Sequence, residues 1–160
     1  MAANKPDPQR LAALQLLHER ASDHGRDLAR ALGQAQAQHA QALQQLRNLQ
    51  AYAAQYRAEL AALEAAGGAW VKVREMRAFI ARIDAAQTAQ REEIARIEAL
   101  QAQRSREWAD ARQQEKAFEM LIGKHHDAVR GYENKQFMQE IQEWSNQTSA
   151  ASATAVSGRA

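Results

Sequence analysis

The chain has no cysteine, which removes disulfide frames, thiolate nucleophiles and cysteine metal sites. Its only prolines are Pro6 and Pro8, so nothing beyond the start forces a kink into a long helix. No apolar run approaches the ~18 residues that a membrane span requires, and no apolar signal stretch stands at the N-terminus. The expectation is a cytoplasmic chain with no direct membrane insertion. The net charge is only +2, and basic and acidic residues roughly balance on each side of residues 67–68. With no basic groove, and with its few aromatics mostly on or beside one helical line, the chain is not expected to bind nucleic acid. His18, His24, His39, His125 and His126 show no i, i+4 metal pairing. No serine or carboxylate joins them in a recognisable catalytic arrangement. The chain therefore reads as non-enzymatic, with no catalytic, cofactor-binding or metal residues.

What remains is a composition of Ala, Gln, Leu, Glu and Arg, which points to long helices or a coiled coil. Gly67 and Gly68 are the only adjacent glycines, and they separate two stretches of helical pattern. Glycine is a poor helix former that tolerates positive φ, so this pair is where a long helix stops and reverses. Asp7-Pro8 reads as the start of the first helix, with Asp as cap and Pro at the first helical position.

From Leu11 the apolar positions step by three and four through Leu14, Leu28, Leu32, Ala35, Ala42, Leu46, Leu49, Ala53, Tyr56, Leu60 and Leu63. That is a heptad seam, and His18, Gly25 and His39 interrupt it. After the glycines it resumes through Val73, Met76, Ile80, Ile83, Ile94, Ile97, Trp108, Phe118, Ile122 and Tyr132, with polar layers at Gln87, Gln90, Gln101, Arg104 and Glu115. Folding at the glycines makes facing residues sum to about 135, which pairs Tyr56 with Ile80, Ala53 with Ile83 and Leu14 with Ile122. Trp108 falls near Gly25.

The expected fold is all-α, an antiparallel coiled-coil hairpin with helix one at 8–66 and helix two at 69–144. Residues 1–7 and 145–160 are expected to be disordered. At 1.5 Å per residue the helices would be roughly 85–90 Å and roughly 110 Å long, leaving an overhang of the second from about Asp127 to Trp144.

One surface stripe rises above the pattern. Gln45, Leu49, Tyr52 and Tyr56 step along helix one, while Phe79, Ile83, Ala86 and Gln90 step along helix two at matching levels. Aromatics beside a thin seam are candidate partner contacts, or they simply thicken the core.

The Tyr-x-x-x-Tyr of helix one, the run Arg77 to Ala86, and Trp108, Arg112, Lys116 and Glu119 further on resemble the FliJ family of flagellar type III export proteins. The resemblance covers roughly Leu11 to Glu140. It implies a stalk-like antiparallel coiled coil, similar to the central shaft of rotary ATPases. It also implies three partners: the hexameric flagellar export ATPase, the export gate protein FlhA, and export chaperones. Through them the chain would sit peripherally at the cytoplasmic face of the inner membrane. The family's gate-contacting stripe maps onto Gln45, Leu49, Tyr52, Tyr56, Phe79, Ile83 and Ala86. Gln90 stands where the family can carry His. Candidate contacts to the ATPase ring are Leu11, Leu14 and Leu17 on helix one, with Leu121, Arg130, Tyr132, Phe137 and Met138 on helix two. The alternatives are a generic coiled-coil scaffold or the equivalent stalk of an injectisome.

Overall fold

The computed structural model describes residues 5–158. Two helices account for nearly all of them, α1 (Pro8–Ala65) and α2 (Trp70–Ser157), with no strand among the described residues. The fold is an all-α antiparallel hairpin. It divides into two compact units, one of Met1–Asp23 with Arg112–Ala160, the other of His24–Ala111.

In the unit His24–Ala111, the turn follows from local chemistry. Gly67 adopts φ +69°. Its N–H reaches the Glu64 carbonyl at 3.2 Å, and the Gly68 N–H reaches the Leu63 carbonyl at 2.9 Å. This is the Schellman arrangement, which satisfies the last carbonyls of α1. The Leu63 side chain lies over Gly68 so closely that a Cβ there would collide with it. The two glycines thus have separate jobs, Gly67 for its backbone angle and Gly68 for its lack of a side chain. α2 then starts with the Val73 N–H donating to the Ala69 carbonyl.

The seam of this unit is narrow. α1 buries Gly25, Ala35, Ala42 and Ala53, and α2 buries Val73, Ile80, Ile83, Ile94 and Ala111. The leucines of α1 in this unit are only half-buried, so the buried positions are small residues on α1 and mostly β-branched residues on α2. Small side chains let two backbones approach, and the branched residues fill the gap that remains. Gln87 is buried among them and accepts from Arg91 at 3.3 Å. Register follows the expected pairing: Tyr56 meets Phe79 edge-on at 4.7 Å, and Gln90 donates to Gln45 Oε1 at 3.1 Å. Trp108 does not fill the space at Gly25, where an added Cβ would meet nothing within 4 Å. Arg57 bridges to Asp84, and Arg77 to Glu64, across the two helices. These exposed pairs contribute little each.

In the unit Met1–Asp23 with Arg112–Ala160, Asp7 caps α1 as expected, accepting from the Gln9 N–H at 2.9 Å. Lys5, Pro6, Asp7 and Arg10 share a cavity of about 380 Å³ with Leu121, Lys124, His125 and Ala128 of α2. Burial on α2 consequently continues through Val129 and Tyr132, and only from Glu133 onward is every described residue exposed. The unpaired stretch therefore starts later than Asp127.

It also runs further than expected: α2 does not stop at Trp144 but continues to Ser157. No proline or glycine interrupts 145–157, which is rich in alanine. The hydroxyls of Thr148, Ser152 and Thr154 donate back to carbonyls three and four residues earlier, inside the helix they would otherwise compete with. Of the terminal segments expected to be disordered, residues 1–4 and 159–160 lie outside the described residues.

Candidate functional site

The stripe on the unit His24–Ala111 has a rigid floor and an open edge. Ile83 is buried and Leu49 half-buried, so these two anchor it to the seam. Tyr56 is half-buried and fixed by its edge-on contact with Phe79. Gln90 is held twice, donating to the Ala42 carbonyl at 2.9 Å and to the Gln45 side chain. The stripe thus ends on a fixed amide instead of a titratable ring. Tyr52 and Phe79 remain 55% and 41% exposed, and Ala86 and Gln45 are exposed beside them. Toward the turn a shallow cavity of about 380 Å³ continues the apolar surface over Tyr56, Leu63, Met76 and Phe79, rimmed by Glu59, Lys72 and Glu75.

The second surface lies in the other unit. Leu11 and Leu14 are half-buried on α1, with Leu17 exposed. On α2, Leu121 is exposed, Tyr132 is half-buried, and Arg130 pairs with Asp127 on the same helix. Phe137 and Met138 are 61% and 64% exposed. Ile141 and Trp144 are exposed as well. With Phe137 they fall at helical steps of four and three, so they form one apolar face on a helix with nothing packed against it.

The sequence matches the model of the flagellar FliJ protein family over residues 9–154. The chain belongs to the FliJ family. No curated protein and no solved structure matches it. The FliJ family is a non-catalytic component of flagellar protein export. No helix among the described residues is long and apolar enough to cross a membrane.

Within the unit His24–Ala111, Tyr56 meets Phe79 and Gln45 meets Gln90 across the two helices at the expected levels. The candidates at the chain's two ends share one unit, though only part of them forms a face: Arg130 is engaged by Asp127, and Tyr132 is tucked against the seam. Ile141 and Trp144 escaped the sequence reading, although their spacing from Phe137 was a usable signal. A second omission is chemical. His18 and His39 meet carboxylates of the opposite helix, Glu119 at 3.3 Å and Glu98 at 3.0 Å. Those partners are remote in sequence, so only the fold register reveals them.

Proposed function

We propose that this FliJ-family chain is a non-enzymatic stalk of the flagellar export apparatus. It grips the export gate protein FlhA through the stripe of Tyr52, Tyr56, Phe79 and Ile83. It engages the hexameric export ATPase through the exposed apolar residues of Leu17, Leu121 and Phe137 to Trp144. The observation that carries this reading is the state of the stripe: two aromatic side chains stay largely exposed on a floor that is otherwise fixed by packing and hydrogen bonds. If the rings served only to thicken the core, Tyr52 and Phe79 would be covered. A pre-set aromatic surface loses little conformational entropy on binding, which is what partner anchors require. The location would be cytoplasmic, at the membrane face only by way of the gate.

The test is direct binding of the cytoplasmic part of FlhA to the intact chain and to its Tyr52→Ala and Phe79→Ala variants. Truncating a central aromatic anchor costs at least about 2 kcal/mol, or roughly thirty-fold in affinity. Unchanged affinity in both variants would remove the stripe from the account and leave the scaffold reading in its place.

A further inference from the structure

Two layers of this chain carry the same cross-helix pair, one in each unit. In one, His39 Nε2 lies 3.0 Å from Glu98 Oε1; in the other, His18 Nε2 lies 3.3 Å from Glu119 Oε1. Each residue stands three heptads from its counterpart in the sequence. The layers differ one turn earlier on α2. Four residues before Glu98 is Ile94, buried and apolar; four residues before Glu119 is Glu115, a carboxylate whose side chain is only 10% exposed. The His18 layer therefore gathers one imidazole nitrogen and two carboxylate oxygens from two helices, all within 4.8 Å of one another.

We propose that His18, Glu115 and Glu119 form a binding site for a first-row divalent cation of the zinc type, tying α1 to α2 in the unit Met1–Asp23 with Arg112–Ala160. This inference does not rest on the stalk reading. Zinc bonds imidazole nitrogen and carboxylate oxygen at about 2.0–2.2 Å, so ligand atoms on one ion stand roughly 3–3.5 Å apart. Small rotations of the half-buried His18 and the exposed Glu119 close that gap from the present separation. Three donors leave a fourth tetrahedral position for water. Calcium, which takes six to eight oxygens, and magnesium, which demands an octahedron, are poorly matched by one nitrogen and two carboxylates.

Charge points the same way. Glu115 is a carboxylate on the seam, where burial without a counter-charge is costly. Its counter-charge is Arg112, 2.5 Å away on the same helix, with a side chain 47% exposed. That guanidinium is free to turn to solvent when a dication takes its place. A dication bound to two carboxylates and a neutral imidazole leaves the layer uncharged. The His39 layer has the same pair but Ile94 in place of the third donor, and it serves as a control within the same chain.

The test is calorimetric titration of Zn²⁺ into the full chain, prepared without a histidine tag and stripped of metal. The expected result is one saturable site, weakened at least ten-fold by His18→Ala and by Glu115→Gln, and unchanged by His39→Ala. Zn²⁺ should also raise the thermal midpoint of the parent chain and not that of the His18→Ala variant, because it binds the folded state alone. Circular dichroism checks each variant for helix content. If Glu115→Gln loses helix, the exposed Glu119→Gln takes its place and should show the same ten-fold loss. The absence of saturable binding would overturn the site. So would binding that survives His18→Ala, or binding that His39→Ala weakens equally.

Discussion

The glycines of this chain predict a change of sign within one residue type. Gly33, Gly123 and Gly131 lie inside the two helices, and an added Cβ at any of them would meet nothing within 4 Å. None of the three has positive φ. Alanine in an exposed helix interior is better than glycine by about 0.8–1.0 kcal/mol, because glycine loses more backbone freedom on folding. The three sites are well separated in sequence, so their effects should add to about 2.5–3 kcal/mol in the triple variant. For a chain of this length that raises the thermal midpoint by roughly 6–10 °C.

Gly67 and Gly68 should behave oppositely. At φ +69° an L side chain is strained by about 1–2 kcal/mol, so Gly67→Ala destabilises. A Cβ at Gly68 would stand 2.6 Å from Leu63 Cγ and 3.0 Å from the Leu63 carbonyl oxygen, forcing the side chain away and disturbing the carbonyl that caps α1. Overpacking of that kind costs about 1–3 kcal/mol. Urea and thermal melts followed by circular dichroism measure all five variants. A destabilising Gly33→Ala, or a neutral Gly67→Ala, would refute the helix and turn assignments behind these signs.

Further outcomes follow from single contacts. Ile94→Ala removes a buried seam side chain and should cost about 2 kcal/mol in urea unfolding, at the low end for such truncations because the narrow core can close over the gap. Leu16→Ala, on the exposed face, should change stability by less than about 0.5 kcal/mol. Gln90→Ala leaves the Ala42 carbonyl and the Gln45 amide without their donor and should cost about 1 kcal/mol in the same assay. A double-mutant cycle on Tyr56 and Phe79 should return a coupling of about 0.5–1.5 kcal/mol. Glu107 is held below the usual carboxylate range, first by the Arg104 guanidinium and then by the Gln103 amide. A lowered carboxylate stabilises the fold above its unfolded pKa and loses that contribution as pH falls through its folded value. The thermal midpoint of Glu107→Gln should therefore lie below the parent's at neutral pH and converge with it in acid.

Much of this fold was legible because helical chemistry is local. The Asp7-Pro8 start and the Gly67-Gly68 stop each depend on a few neighbouring residues. The two heptad lines, once folded at the turn, set the register that Tyr56–Phe79 and Gln45–Gln90 display. What the sequence concealed was relative closeness. Leucine spacing marked the seam, yet Ala35, Ala42 and Ala53 are among its most buried residues, because small side chains let two helices approach. Composition also misled at the end of the chain. A Ser/Thr/Ala run looks loop-forming, but with hydroxyls bonded back to the helix it extends α2 to Ser157. The surface stripe could be named residue by residue. The His–Glu layers were less legible, because Glu98 and Glu119 stand one step off the heptad line and read as solvated charges.

On the proposed reading one chain joins the export ATPase to the gate, and sedimentation of a three-component mixture checks that link. A single species containing ATPase, chain and the cytoplasmic part of FlhA is expected. Tyr52→Ala with Phe79→Ala should release FlhA alone, and Phe137→Ala with Trp144→Ala should release the ATPase alone. Sedimentation of the chain with only one partner at a time, whatever the mixture, would contradict it.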